Sequence, residues 1–327
     1  MKKEKIILSI GMPVYNGVNF INKALDSLLD QTFTNFELII SDNASTDETE
    51  TICGEYAKRD NRIRYIRQPE NQGALANFQF VLNEAVGDYF MWAAADDVWD
   101  KKWIETLLPI SIDGQCIAYG LVQTIDDKGY ELEHPANNRK FCYVGYVLFR
   151  RLKYFFAPCF LGKANPIYGI FPKNIITTQA FSVLSLSDNG SDMLFLFNLL
   201  NKIEIKGGAS VYLYKRIHSG CEGGSVPQKS LRQNNALLGV IRQNNALFQS
   251  IRLAFRGIRL AAEVGRSRYL DIINYGALSG FPEKVLQVLL LPVVVSADLF
   301  YLGVNKVRVM LKVFSSFQRK ISNKQQT

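Results

Sequence analysis

The sequence predicts an α/β protein built around a mostly parallel sheet. Short apolar runs alternate with stretches of helical spacing from residue 6 to residue 93, joined by connections of a few residues. Three polar clusters each follow a run: Pro13, Tyr15 and Asn16; Asp42 and Asn43; Asp96 and Asp97. In such sheets, the carboxyl ends of the strands are where ligands bind, so clusters far apart in sequence converge on one site.

The elements follow in order. Residues 6–12 (IILSIGM) form an unbroken apolar run, as expected of a strand covered on both faces. The lysines before it imitate a secretory signal, but the run is short, ends at Pro13 and meets no small-residue cleavage site, so a strand is expected. Over 19–30, Phe20, Ile21, Ala24, Leu25, Leu28 and Leu29 recur at helical spacing. A second strand follows at 36–41. Ser45, with Glu48 three residues later, has the form of a capping box opening a helix to Lys58. A strand at 63–67, a helix at 75–85 and a strand at 88–93 complete the alternation. The middle of the chain is mixed, with strands expected at 116–125 and 210–214 and helices near 146–156, 174–184 and 191–200.

Charge divides the chain. The net charge is +8, but residues 1–227 hold 23 basic and 26 acidic side chains, whereas 228–327 hold 15 and 4. A slightly acidic body argues against nucleic-acid binding, and a basic tail points to an anionic surface. The expected division is a catalytic domain over 1–226 and a basic, apolar helical region over 227–327. Within the latter, 232–241 and 242–251 are near copies, RQNNALLGVI and RQNNALFQSI, but a ten-residue shift puts them on different helix faces. The most apolar stretch, 284–304, is interrupted by Gln287, Pro292, Ser296 and Asp298, which makes spanning a bilayer costly. Residues 306–320 (KVRVMLKVFSSFQRK) suit either a helix lying on an anionic leaflet or a helical subdomain with a solvated basic face.

Five scattered cysteines, Cys53, Cys116, Cys142, Cys159 and Cys221, form no C-x-x-C pair, so neither a zinc site nor a disulfide framework is expected. They are read as reduced, mostly buried thiols of a cytosolic protein. No G-x-G-x-x-G follows the first strand, and no P-loop or H-E-x-x-H occurs. What remains is the adjacent pair Asp96 and Asp97. Two neighbouring carboxylates repel unless a cation or a donor intervenes, and hard divalent cations are held by one or two carboxylates together with phosphates. The alternative is a solvated loop in which Asp97 or Asp100 caps the next helix. For Trp92, Trp99 and Trp103, core packing is expected ahead of stacking on a sugar.

Three segments in order carry a specific resemblance: SIGMPVYNGVNFINKALDSLLDQTFTNFELIISDNASTDET, ENQGALANF and AVGDYFMWAAADDVW. Together they span roughly 6–103, and SDMLFLFNLL with YLYKRIHSG extends the match over 191–220. The chain resembles the family-two inverting glycosyltransferases of the GT-A fold, which use nucleotide-sugar donors. The resemblance implies that Pro13, Tyr15 and Asp42 line a nucleobase pocket, where an aromatic ring and a carboxylate suit uracil, and that Asn71 and Gly73 lie in the donor loop. The arginine that many members carry before Asn77 is Ala76 here. Asp96 falls on the metal-binding second acid of the D-x-D motif, with Ala94 in place of the first and Asp97 as a neighbouring acid that orients the site. Asp192 falls on the general base, with Asp188 its nearby competitor. His218 falls where some relatives place a metal or diphosphate ligand. Arg216 either contacts diphosphate or ends a strand.

The expected cofactor is Mn²⁺ or Mg²⁺, the donor a UDP-sugar and the acceptor a lipid-linked glycan in surface polysaccharide assembly. The expected location is the inner face of the cell membrane, reached through the tail. A catalytically silent nucleotide-sugar-binding scaffold is the alternative, because of Ala94. The lack of Q-x-x-R-W argues against a processive synthase.

Overall fold

The computed structural model describes residues 5–185 and 191–218. The tail at 227–327, Cys221 and Asp188 lie outside the described residues, and with them the expectations placed there. Among the described residues, no helix is long and apolar enough to cross a membrane.

The element order is β1 (Leu8–Val14), α1 (Ile21–Leu29), β2 (Phe36–Asp42), α2 (Thr49–Arg59), β3 (Ile63–Arg67), α3 (Ala74–Glu84), β4 (Tyr89–Trp92), β5 (Val98–Trp99), α4 (Trp103–Gly114), β6 (Ile117–Ile125), α5 (Val147–Phe156), β7 (Phe171–Pro172), α6 (Thr178–Phe181), α7 (Ser191–Leu199) and β8 (Ile205–Arg216). A five-stranded sheet runs β3-β2-β1-β4-β7, parallel except for β7. The mostly parallel α/β architecture is the one expected. Six of the seven residues of β1 and all seven of β2 are buried, as in strands covered on both faces, although β2 carries Glu37, Ser41 and Asp42. A second sheet, β5-β8-β6, joins the first through the pairing of Ala118 with Ile170, just before β7.

The core centres on Trp92, whose ring meets Phe90, Phe171 and Phe195 edge to face, with centroids 4.8, 5.7 and 5.8 Å away. Trp99 and Trp103 are buried as well. All three tryptophans therefore pack inside, as expected. Cys53 and Cys116 are buried, Cys142 and Cys159 half-buried, and all four are free thiols.

At the amino edge of the sheet, the buried carboxylate of Glu37 accepts from Ser9 Oγ at 2.6 Å, Val86 N at 2.9 Å and Arg64 Nη1 at 3.2 Å. With every oxygen bonded, the charge is tolerated inside.

Three expectations need correction. The capping box does not form: α2 starts at Thr49, its N-cap Glu48 makes no side-chain bond, and Ser45 Oγ accepts from Asn16 N across the loop at 2.9 Å. The helix expected over 174–184 is broken. A 3₁₀ turn at Lys173–Ile175 ends near Thr177, whose hydroxyl caps α6 by accepting from Ala180 N at 3.1 Å, and a second 3₁₀ turn follows at Ser182–Ser185. The strand expected at 210–214 extends over Ile205–Arg216, and the two-residue β5 was not anticipated.

The long β8 pairs with β6 across a register shift at Tyr119 and Leu121. Gly120 sits in that shift, and a β-carbon there would run into the Val211 carbonyl oxygen and meet Trp103 Cζ3 at 2.6 Å. Backbone cannot yield as a side-chain tip does. Gly120→Ala is therefore expected to cost about 1–3 kcal/mol, read as a lower denaturant midpoint with an unchanged m-value. An unchanged midpoint would refute the tight packing of β6 on β8.

Candidate active site

At the carboxyl edge, the strands end and their loops must satisfy their own backbone N–H groups. The loop after β2 supplies the acceptors for the loop after β1. Asn16 N donates to Ser45 Oγ, Gly17 N to Thr49 Oγ1 at 2.8 Å and Val18 N to Asp47 Oδ2 at 3.1 Å. Asp47 also accepts from Thr49 N, and these bonds hold its carboxyl below the ordinary value against the opposing effect of burial. The tie leaves Tyr15 49% exposed and Pro13 half-buried at the end of β1.

Asp42 is placed differently from the base-edge acceptor that was expected. It is fully buried, with Oδ1 accepting from Ser45 N at 2.8 Å and Oδ2 from the Tyr65 hydroxyl at 2.8 Å. Its carboxylate organises the loop from beneath. Burial and this bond to Asp42 raise the Tyr65 hydroxyl well above the ordinary tyrosine range.

Asn71 and Gly73 are drawn to the same place by Asn43, which follows Asp42 in the second of the polar clusters. Asn43 Nδ2 donates to Asn71 Oδ1 at 2.8 Å and to the Gly73 carbonyl at 3.2 Å, and Asn43 Oδ1 accepts from Gln72 N. Gly73 takes φ 85°, a conformation natural to glycine, at the N-cap of α3. Asn77 closes the floor, its amide donating to the carbonyls of Ser41 and Val14. Pro13, Tyr15, Asp42, Asn71 and Gly73 therefore share one loop cluster.

A second cluster forms where β4 exits. Asp96 Oδ2 lies 3.0 Å from His218 Nε2, although the two residues are 122 apart in sequence. The His218 ring rests on Phe20, with centroids 4.6 Å apart. Asp97 is buried behind them and accepts from Arg216 N at 2.8 Å. Arg216 is also buried: Nε donates to the Asp96 carbonyl, Nη1 to the carbonyls of Asp126 and Asp127, and its guanidinium carbon lies 4.9 Å from the Phe20 centroid. Of the two alternatives for Arg216, this geometry is that of a residue closing a strand end. Neither Asp97 nor Asp100 caps α4, whose N-cap Lys102 has no side-chain capping bond; Asp100 Oδ1 accepts from Lys102 N in the turn before it.

Asp192 lies in the first turn of α7 and accepts from Met193 N at 2.7 Å. Burial raises its carboxyl above the ordinary value; the opposing influences are its backbone hydrogen bonds and the charges of Lys215 and Lys163. Lys215 was absent from the sequence candidates, yet its charge acts on both Asp97 and Asp192. Its ammonium donates to Asn165 Oδ1 at 3.1 Å and sits 5.7 Å from the Tyr168 ring.

The second cluster offers a divalent cation two ligands of different chemistry. One carboxylate and one imidazole meet at hydrogen-bond distance and are partly exposed. No group of three or more His, Cys, Asp or Glu side chains that could hold a metal occurs among the described residues, so a cation here would need phosphate or water oxygens to complete its shell.

Residues 9–169 match the family "Glycosyl transferase family 2". The chain is 37% identical over 114 residues to glycosyltransferase GlyA of Streptococcus pneumoniae serotype 4, covering 35% of this chain and 16% of that protein. It is 34% identical over 116 residues to the putative teichuronic acid biosynthesis glycosyltransferase TuaG of Bacillus subtilis strain 168, covering 36% of this chain and 46% of that protein. The chain thus spans less than half the length of either relative. Among solved structures, it resembles S. aureus TarS 1-349 in complex with UDP-GlcNAc, with a TM-score of 0.49 and 18% identity over 66% of this chain and 60% of that one.

Burial, then the neighbouring Asp96 charge, push the Asp97 carboxyl up to about 7 from an ordinary 3.8. The folded state therefore holds this proton at pH values where the unfolded chain has released it, and stability falls as pH rises from about 4 to about 7. Asp97→Asn in EDTA should flatten that slope in urea titrations while keeping the Arg216 N–H acceptor. An identical slope in both proteins would remove Asp97 as its cause.

Proposed function

From the presence of a glycosyl transferase family 2 segment at residues 9–169, we propose that the chain transfers a sugar from a nucleotide-diphosphate donor to a hydroxyl acceptor with inversion at the anomeric carbon. The observation that carries the reading is the meeting of Asp96 and His218 beside the loop that holds Tyr15, because it sets two potential diphosphate-side ligands at the exit of the central strands.

In this reading, the base rests against the Tyr15 ring and Pro13, on loops fixed by Asp42, Asn43, Asn71 and Gly73. An aromatic face with polar groups beneath it suits uracil, which favours a UDP-sugar. Asp96 and His218 would hold Mn²⁺ or Mg²⁺, which when bound would neutralise charge building on the departing diphosphate. Asp97 and Arg216 fix the backbone that presents Asp96. Asp192 accepts the proton of the acceptor hydroxyl as that oxygen attacks the anomeric carbon and the bond to diphosphate breaks. Its raised carboxyl suits a base that must take a proton near neutrality.

The likeness to a protein named for teichuronic acid biosynthesis supports an acceptor in polysaccharide assembly, and the basic balance of residues 228–327 favours one carried on a lipid. A catalytic domain over 1–226 with a basic region over 227–327 would then work at the inner membrane face, the +11 balance of residues 228–327 drawing it to anionic lipid.

Two measurements test the reading. Asp192→Asn should lower the release of nucleoside diphosphate by roughly 10²–10⁴-fold with donor affinity kept, and the wild-type rate should rise with pH through a limb above the ordinary carboxylate range. Wild-type protein that releases none with any donor and acceptor extract is a binding scaffold instead. In a thermal-shift panel with Mn²⁺, UDP-sugars should stabilise the chain by mass action. Stabilisation by GDP-sugars alone would overturn the uracil assignment.

A further inference from the structure

Of the ten large apolar side chains left exposed among the described residues, four fall within six positions: Val144, Tyr146, Val147 and Phe149. Tyr146 is 83% and Phe149 67% exposed. They lead into and begin α5, and the first turns of that helix are inverted relative to an ordinary surface helix. Its arginines point inward: Arg150 Nε donates to the Leu200 carbonyl at 2.7 Å and Arg151 Nη1 to the Phe197 carbonyl at 3.3 Å. Arg151 also lies 3.9 Å from the Phe197 ring centroid. These bonds satisfy carbonyls at the end of α7, where a helix leaves acceptors without partners. Anchored in this way, α5 cannot turn Phe149 inward without burying bare carbonyls in place of bonded ones.

Along the segment that carries this apolar face, the charge has one sign. From residue 134 to residue 187 the sequence contains no Asp or Glu but seven Lys and Arg, of which Lys140 and Lys153 are exposed beside the cluster. The acid that approaches from β8's leading edge, Glu204, accepts from Gly145 N at 2.7 Å and lies 4.0 Å from Arg150. Aromatic and branched side chains that stand out from a helix start, flanked by lysines, match the requirements of a lipid interface: apolar groups enter the acyl boundary while cations meet the headgroups.

We propose that Val144–Phe149, with Lys140 and Lys153, docks the body of the protein on an anionic lipid surface. The proposal rests on the membrane-associated reading above and assigns a contact to residues outside the tail.

The three native tryptophans are buried, so they give a background that vesicles and brominated lipids leave unchanged, and a new exposed one is read against it. In the full chain, Phe149→Trp and, separately, Tyr146→Trp should shift to shorter emission wavelength on vesicles of phosphatidylglycerol and phosphatidylcholine, and brominated lipids should quench them. Ile112→Trp, exposed on α4, should respond to neither. The double change Tyr146→Ser, Phe149→Ser should weaken vesicle flotation by roughly tenfold. A chain that floats with both reporters unquenched overturns this docking face and leaves the tail as the contact. A chain that does not float on anionic vesicles overturns both. A reporter shielded by rising protein concentration without vesicles marks a contact between copies, and also overturns the proposal.

Discussion

The candidate chemistry depends on one hydrogen bond, from the Arg216 backbone amide to the buried carboxylate of Asp97. It fastens the last residue of β8 to the exit of β4, and so fastens the second sheet to the first. The Arg216 side chain repeats the attachment by donating to the carbonyls of Asp96, Asp126 and Asp127. A buried guanidinium is tolerated only when its donors are matched, and the three carbonyls match them. With Arg216 fixed, His218 two residues later has little choice but to stack on Phe20 and meet Asp96.

The two edges of the main sheet solve their polar problems in different ways. At the amino edge, Glu37 is enclosed by Ser9, Arg64 and Val86, and every bond joins parts of the scaffold. At the carboxyl edge, Ser45, Asp47, Thr49 and Asn43 spend their side chains on the backbone of neighbouring loops. The first arrangement closes a surface. The second holds loops in place while leaving Tyr15 open, which is what a binding edge needs.

Regular elements were legible because their causes are local. The strand at 63–67 is found where expected, and β1, β2, α1 and α3 begin and end within two residues of the reading. The capping box was misread for the opposite reason. Ser45 and Glu48 have the right spacing, but the hydroxyl had a competing partner 29 residues away in Asn16. The segment at 174–184 has helical spacing throughout, yet Thr177 restarts the helix because its hydroxyl caps Ala180. Side-chain bonds of this kind compete with helix formation, and spacing does not register them.

By itself the sequence determined the alternation of strands and helices, the burial of the tryptophans, and the gathering of Pro13, Tyr15, Asn71, Gly73 and Asp96 at one edge. Period, apolar runs and the parallel-sheet rule are enough for that. Only the tertiary structure decided that Asp42 works from beneath its loop, that Arg216 closes a strand, and that Lys215 acts on both Asp97 and Asp192. These outcomes turn on burial and on partners more than a hundred residues apart in the case of Arg216. A buried charge settles with whichever groups the fold brings within reach, and no local pattern records which groups those are.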